Sequence, residues 1–199
     1  MAKEILSAPR AGSLVMMGGS AGSLDVILRT LRNLRAPFTA ALCIVVHRNT
    51  DYESALSALA QSSSTMHVRD VEDKMPVEPG TLYIAPADYH LLCEHDRTWS
   101  LDVSEKINHS RPSIDVAFES AAEVYGPCLM CVLLSGANAD GAAGLAMAKA
   151  LGSATVVQDP AEASVSVMPL AGLRSVPDVQ VCSVDSLPDV INQFALAAG

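Results

Sequence analysis

Positive charge is scarce in this chain. Thirteen lysines and arginines face 22 aspartates and glutamates, for a formal charge of −9, and the basic residues form no cluster that could follow a phosphate backbone. Nucleic acid is not an expected partner. Also missing is any uninterrupted apolar run of about 18 residues or more, the length a membrane helix needs. The first ten residues lack the basic head and apolar centre of a secretion signal. These absences predict a cytoplasmic protein with no direct membrane insertion. Cysteines number five, an odd count set mostly among apolar neighbours, which suits reduced packing residues better than a disulfide framework. Cys128-x-x-Cys131 has no second Cys or His pair at ligand spacing and lies in a strand-like run, so no metal is expected. No repeat, low-complexity tract or Gly/Ser-rich linker interrupts the chain.

What is present is apolar and periodic. Half of the 199 residues are hydrophobic, enough for one sizeable core. A short tail over residues 1–13 and a single domain over 14–199 are expected. A strand over about 14–17 turns through Gly18-Gly-Ser-Ala-Gly22 into a helix with Leu24, Ile27, Leu28, Leu31 and Leu34 at helical spacing. A second strand near 42–46 leads into a helix over about 52–61. Pro76, Pro79 and Gly80 then break the alternation, and short strands near 81–85, 89–94 and 99–103 read as an antiparallel hairpin insertion. Pro112 opens a helix to about residue 125. A buried strand follows, then a small-residue helix from Gly141, a strand over 154–157, short helices near Ala161 and Met168, and a closing helix over 186–198. Strands alternating with helices predict an α/β fold with a single doubly wound, mainly parallel sheet covered by helices on both faces.

Chemistry concentrates where strands end. Ser20, His47 and Asp140 each sit just past an apolar strand-like run, and open α/β sheets place their sites at that carboxyl edge. The segment Gly18-Gly-Ser20-Ala-Gly22 satisfies G-x-S-x-G between a strand and a helix. On the loop alone, a nucleophilic serine, a phosphate cradle at the helix N-terminus and a plain structural turn all stay open. A serine nucleophile needs a base, and His47 is favoured by its place at the strand end, with His90 the main rival. The base in turn needs a carboxylate to hold its tautomer. Asp140 is the candidate, with helix capping as the competing reading and Asp88 and Asp115 as alternatives. The order Ser, His, Asp differs from that of the common lipases and esterases.

Seven segments taken in order give a more specific reading. Gly19-Ser-Ala-Gly22, Val45-Val-His47, Leu82-Tyr-Ile-Ala-Pro-Ala-Asp-Tyr-His90, Arg111-Pro-Ser-Ile-Asp-Val116, Leu133-Leu-Ser-Gly136, Ala139-Asp-Gly-Ala-Ala-Gly144 and Gln158-Asp-Pro160 together resemble the catalytic domain of chemotaxis-type protein-glutamate methylesterases. The resemblance implies Ser20 as nucleophile, His47 as general base and acid, and Asp140 as the orienting carboxylate. Backbone amides of Ala21 and Ala137 match the oxyanion-hole positions, and Arg111 is a candidate for binding acidic groups of the substrate. No cofactor is implied. The expected substrate is a methylated chemoreceptor-like protein, with removal of glutamate methyl esters and, in some members, deamidation of glutamine. This chain departs from the family's usual residues at Ala21, Val46, Ala137 and Asn138. About a dozen residues precede the first strand, too few for the receiver domain that many members carry. A separate regulatory protein, a fused module or constitutive activity is expected instead. Two other readings are a methylesterase-like binding module without activity, and a nucleotide-binding domain using the Ser20 loop.

Overall fold

A computed structural model describes residues 10–47 and 53–197. Seven strands form one sheet in the order β3-β4-β2-β1-β7-β8-β9, and every pairing in it is parallel. The strands are β1 (Leu14–Gly19), β2 (Ala41–Val46), β3 (His67–Asp70), β4 (Thr81–Ile84), β7 (Leu129–Leu133), β8 (Ala154–Gln158) and β9 (Gln180–Cys182). Two further strands, β5 (His90–Cys93) and β6 (Trp99–Asp102), make a separate antiparallel pair. The expected hairpin insertion is thus present. Of the three strands expected there, the first joins the main sheet as β4, because Thr81, Leu82, Tyr83 and Ile84 are all buried, as a strand covered on both faces requires.

Helices cover both faces. On one side, α3 (Ile114–Tyr125), α4 (Ala142–Ala150) and α5 (Val167–Ser175) bury Ile114, Phe118, Leu145, Ala148 and Met168 against Leu14, Met16, Cys43, Val45, Cys131 and Leu133. On the other, α1 (Ser23–Arg32), α2 (Glu53–Ser63) and α6 (Leu187–Ala197) bury Ile27, Leu31, Leu56, Ala60 and Ile191 against Val15, Met17, Leu42, Ile44 and Val132. Alternate residues of one strand therefore serve opposite cores. The helix expected near Ala161 is absent, since residues 159–166 form turns and irregular structure.

Topology decides where a site can form. From β1 the chain passes to β2, goes out to the edge strand β3, comes back to insert β4 between β3 and β2, and later lays β7 on the other side of β1. The strand order reverses between β1 and β7, and ligands of open parallel sheets bind outside the strand ends at such a reversal. Ser20 follows β1, His47 follows β2 and Asp140 follows β7. Backbone bonds lock these ends together: His47 N–H donates to Gly19 O at 3.2 Å, Leu134 N–H to Gly18 O at 2.9 Å, and Ser20 N–H to Ser135 O at 2.9 Å.

Candidate active site

Ser20 stands on a turn that the sequence dictates. Gly22 adopts φ +81° at the start of α1, a conformation that glycine alone takes at no steric cost. A Cβ there would fall 2.5 Å from Ser164 Cβ and 2.9 Å from Ser135 Oγ. The turn closes when Ser23 donates to Ser20 O from its amide at 3.1 Å and from its hydroxyl at 2.7 Å. Ser135 braces the loop from outside, its hydroxyl donating to Ala21 O at 2.7 Å and accepting from Val165 N–H at 2.9 Å. Backbone needs are met, so Ser20 Oγ stays free: it has no hydrogen-bond partner among the described residues.

His47 is held by Asp140. The pairing of Gly19 with Val46 carries Ser20 and His47 to the same level of adjacent strands, which run about 4.8 Å apart. His47 Nε2 lies 2.7 Å from Asp140 Oδ2, and Asp140 is fully buried. That carboxylate also accepts from Ile114 N–H at 2.7 Å, Ser113 Oγ at 2.9 Å and Asp115 N–H at 3.2 Å. Two of those donors are amides at the first turn of α3, where the helix dipole favours negative charge. Burial alone would raise the pKa of Asp140. The hydrogen bonds from His47, Ile114, Ser113 and Asp115 outweigh it and hold the carboxyl well below the ordinary range. Asp140 is therefore ionised at neutral pH, His47 carries its proton on Nε2, and Nδ1 is left as the basic nitrogen.

Asp140 contacts both His47 and a helix end. It caps a helix, but the helix is α3 rather than α4, whose first residues follow Asp140 in sequence. Of the alternative carboxylates, Asp115 lies behind Asp140. Its Oδ1 accepts from Gly144 N–H at 2.8 Å, and Asn108 Nδ2 bridges the pair, 3.1 Å from Asp115 Oδ2 and 3.5 Å from Asp140 Oδ1. Burial, reinforced by the Asp140 charge, raises the pKa of Asp115 against the pull of the Gly144 amide. Asp88 is committed to Arg111 at 2.8 Å. His90, the rival base, is 1% exposed, and both its nitrogens are occupied, Nδ1 by Ser113 N–H at 3.2 Å and Nε2 by Glu105 O at 3.0 Å. It holds the 105–113 segment, from which Ser113 donates to Asp140.

The remaining positions divide. The amides of Ala21 and Ala137 have no acceptor among the described residues, and both residues are exposed at the loop tips. Arg111 is occupied: Nε and Nη2 donate to Asp88, and Nη1 donates to Val103 O and Ser104 O, each at 2.8 Å. It clamps the 103–111 loop, and an acidic substrate group would have to compete with Asp88 for it. Among the described residues, no three His, Cys, Asp or Glu side chains are placed to hold a metal. The five cysteines are free thiols, and burial pushes Cys131 well above its ordinary pKa. Phosphate-loop chemistry gains no support, because among the described residues no Lys or Arg side chain is hydrogen-bonded to the Ser20 turn.

One half of the expected relay is formed and the other is not. The His47–Asp140 half is made. On Nδ1, however, sits Ser110 Oγ at 3.3 Å rather than Ser20. Sequence reading missed Ser110, Asn108 and Ser113, and marked Asn138 as a departure from the usual family residue without placing it beside Ser110. Of the three missed, only Ser113 carried a signal, as a serine beside a proline at the start of a helix.

A serine with a free hydroxyl, a histidine and a buried ionised aspartate at the strand-order reversal of a parallel sheet are the residue types and the placement that the serine-hydrolase class uses. Comparison with known proteins narrows the class. The CheB methylesterase family model matches residues 15–191. The chain is 35% identical to a putative protein-glutamate methylesterase/protein-glutamine glutaminase of Leptospira interrogans serovar copenhageni, over 88% of this chain and 91% of that protein. It is 34% identical to the protein-glutamate methylesterase/protein-glutamine glutaminase of Thermotoga maritima, over 80% of this chain and 47% of the longer relative. The crystal structure of the Thermotoga maritima CheB methylesterase catalytic domain superposes with a TM-score of 0.87 at 29% identity, covering 92% of this chain and 98% of that one. The chain belongs to the CheB methylesterase family.

Proposed function

We propose that the protein removes methyl esters from glutamate side chains of a methylated chemoreceptor-like protein in the cytoplasm, with Ser20 as nucleophile, His47 as general base and acid, and Asp140 as the orienting carboxylate. One observation carries this assignment of roles. The 2.7 Å bond from His47 Nε2 to a fully buried, ionised Asp140 fixes the tautomer in which Nδ1 can take a proton. Ser20, one strand away with an unengaged hydroxyl, is the nucleophile beside it. The placement fits membership of the family, and no helix among the described residues is long and apolar enough to cross a membrane.

In this reading, Ser20 Oγ attacks the ester carbonyl carbon and its proton passes to His47 Nδ1. The tetrahedral oxyanion takes hydrogen bonds from the free amides of Ala21 and Ala137. Collapse breaks the C–O bond to the methoxy group, which leaves as methanol with the proton from Nδ1. Water, deprotonated by the same nitrogen, then cleaves the acyl-enzyme to free glutamate and restore Ser20. With a glutamine side chain the same steps would release ammonia.

The test is methanol release from a methylated receptor fragment, alongside mass-spectrometric mapping of an active-site-directed fluorophosphonate. Ser20→Ala should abolish both signals while leaving the urea midpoint unchanged. Turnover that survives in Ser20→Ala, or label found on another serine, refutes the assignment.

A further inference from the structure

We infer that Ser110 competes with Ser20 for the basic nitrogen of His47, so that Ser110 sets the fraction of the protein in which the nucleophile can be activated; the inference rests on the proposed esterase reading. The argument begins with the proton count. Asp140 is ionised and holds Nε2, so Nε2 carries the ring proton and Nδ1 offers one in-plane lone pair. Only a donor can occupy that position. The described structure supplies one, Ser110 Oγ at 3.3 Å.

The surroundings direct that hydroxyl. Asn138 Oδ1 accepts from Asp140 N–H at 3.2 Å, which leaves the amide nitrogen of Asn138 as the end facing Ser110, 3.5 Å from its oxygen. Asn138 therefore donates into Ser110, and the Ser110 proton must point elsewhere. Two acceptors lie in range, His47 Nδ1 at 3.3 Å and Asn108 O at 3.4 Å. Asn108 and His109 hold φ of +52° and +62°, and paired Ile107–Ser110 backbone bonds of 3.2 and 2.9 Å close the turn, so the hydroxyl is delivered by a fixed loop. Asn138 is also a position where this chain departs from the usual family residue.

A lone pair serves one donor at a time, so Ser110 and Ser20 exclude each other. Ser110 is a positioning residue in this scheme: it touches the base and not the substrate. A net hydrogen bond of ordinary strength favours the occupied state by about two- to tenfold, and the rate of Ser20 activation falls by the same fraction.

The experiment compares wild type with Ser110→Ala in two readouts. The first is the rate of Ser20 labelling by a fluorophosphonate, and the second is the 15N resonance of His47 Nδ1 at fixed neutral pH. Expected are a hydrogen-bonded Nδ1 resonance in wild type, a change of that resonance in Ser110→Ala as the lone pair passes from the Ser110 hydroxyl to that of Ser20, and Ser20 labelling about two- to tenfold faster. A wild-type Nδ1 already at the free position overturns the inference without need of any variant. So does labelling that is unchanged or slower in Ser110→Ala. Absence of Ser20 labelling in both proteins refutes the esterase reading instead, and the competition with it, while the Nδ1 shift then marks the Ser110 contact as purely structural.

Discussion

Replacing Asp140 by asparagine should damage stability and chemistry together, by amounts the hydrogen bonds set. Asp140 Oδ2 accepts from His47 Nε2 and Ile114 N–H, while Oδ1 accepts from Ser113 Oγ, Asp115 N–H and, more distantly, Asn108 Nδ2. An asparagine must turn its amino group toward one of these sets. Facing Ile114 and His47, it can still donate to Nε2 if the imidazole switches tautomer, but the Ile114 amide is left facing a donor. Facing Ser113 and Asp115, it leaves the Asp115 amide unpaired. Either way one buried backbone N–H at the start of α3 loses its acceptor, and the helix loses a charge at its positive end. A hydrogen bond to a charged group contributes about 1.5–3 kcal/mol and the dipole up to about 2 kcal/mol in a buried setting. The expected cost is about 2–4 kcal/mol. With the amino group facing His47, activity should fall about 10⁴-fold, because the switched tautomer puts a proton on Nδ1; with it facing Ser113 and Asp115 the tautomer is kept, and the fall should be smaller. Urea denaturation of wild type, Asp140→Asn and His47→Ala measures the first effect, and methanol release measures the second. His47→Ala removes one of the bonds and spares the helix cap, so it should cost clearly less. Asp140→Asn within about 0.5 kcal/mol of wild type, or His47→Ala equally destabilising, would show that the cap contributes nothing and refute the reasoning.

Two further outcomes test the surroundings of the site. A Cβ on Gly144 would lie 2.6 Å from Asp115 O and 2.9 Å from Asp115 Cα, backbone atoms that cannot swing aside. Gly144→Ala should therefore destabilise by about 1–3 kcal/mol in urea, and a neutral result would mean that α3 and α4 can separate without cost. Asp115 has a folded-state pKa raised to about 6, chiefly by burial. Its carboxyl thus keeps a proton up to that pH in the native state, whereas the unfolded chain releases it near the ordinary value of 3.8. The native state binds more protons in that window, so this group's contribution to stability is greatest below the window and is lost as pH rises through about 6. Asp115→Asn removes the titration, so the excess stability of wild type over the variant should shrink between pH 4.5 and 7.5. An excess that stays constant would refute the raised pKa.

The sheet was legible where burial leaves a continuous apolar run. Leu14–Gly19, Ala41–Val46 and Leu129–Leu133 are central strands covered on both faces, and such strands must be apolar throughout. The edge strands were not legible. His67–Asp70 is mostly polar and half-exposed, and Gln180–Cys182 is three residues long with two exposed, as edge positions permit. Thr81–Ile84 read as part of a hairpin because its neighbours are hairpin strands, and only the pairing with β2 and β3 shows where it belongs. Around the site, residues following apolar strands stood out, while the loop that meets them did not. Ser110 and Asn108 lie in an exposed turn with no periodicity to mark them, and Arg111 carried no sign that Asp88 and two carbonyls would take its donors.

The sequence by itself determined the parallel α/β framework, the family, and the three strand-end side chains, because apolar runs, glycine turns and ordered motifs are properties of neighbouring residues. Only the tertiary structure decided which nitrogen of His47 is free, that Asp140 caps α3 while it holds the imidazole, and that Ser110 rather than Ser20 rests on the base. Those facts depend on distances of a few tenths of an ångström between segments up to 93 positions apart, and such distances are set by packing that no local pattern encodes.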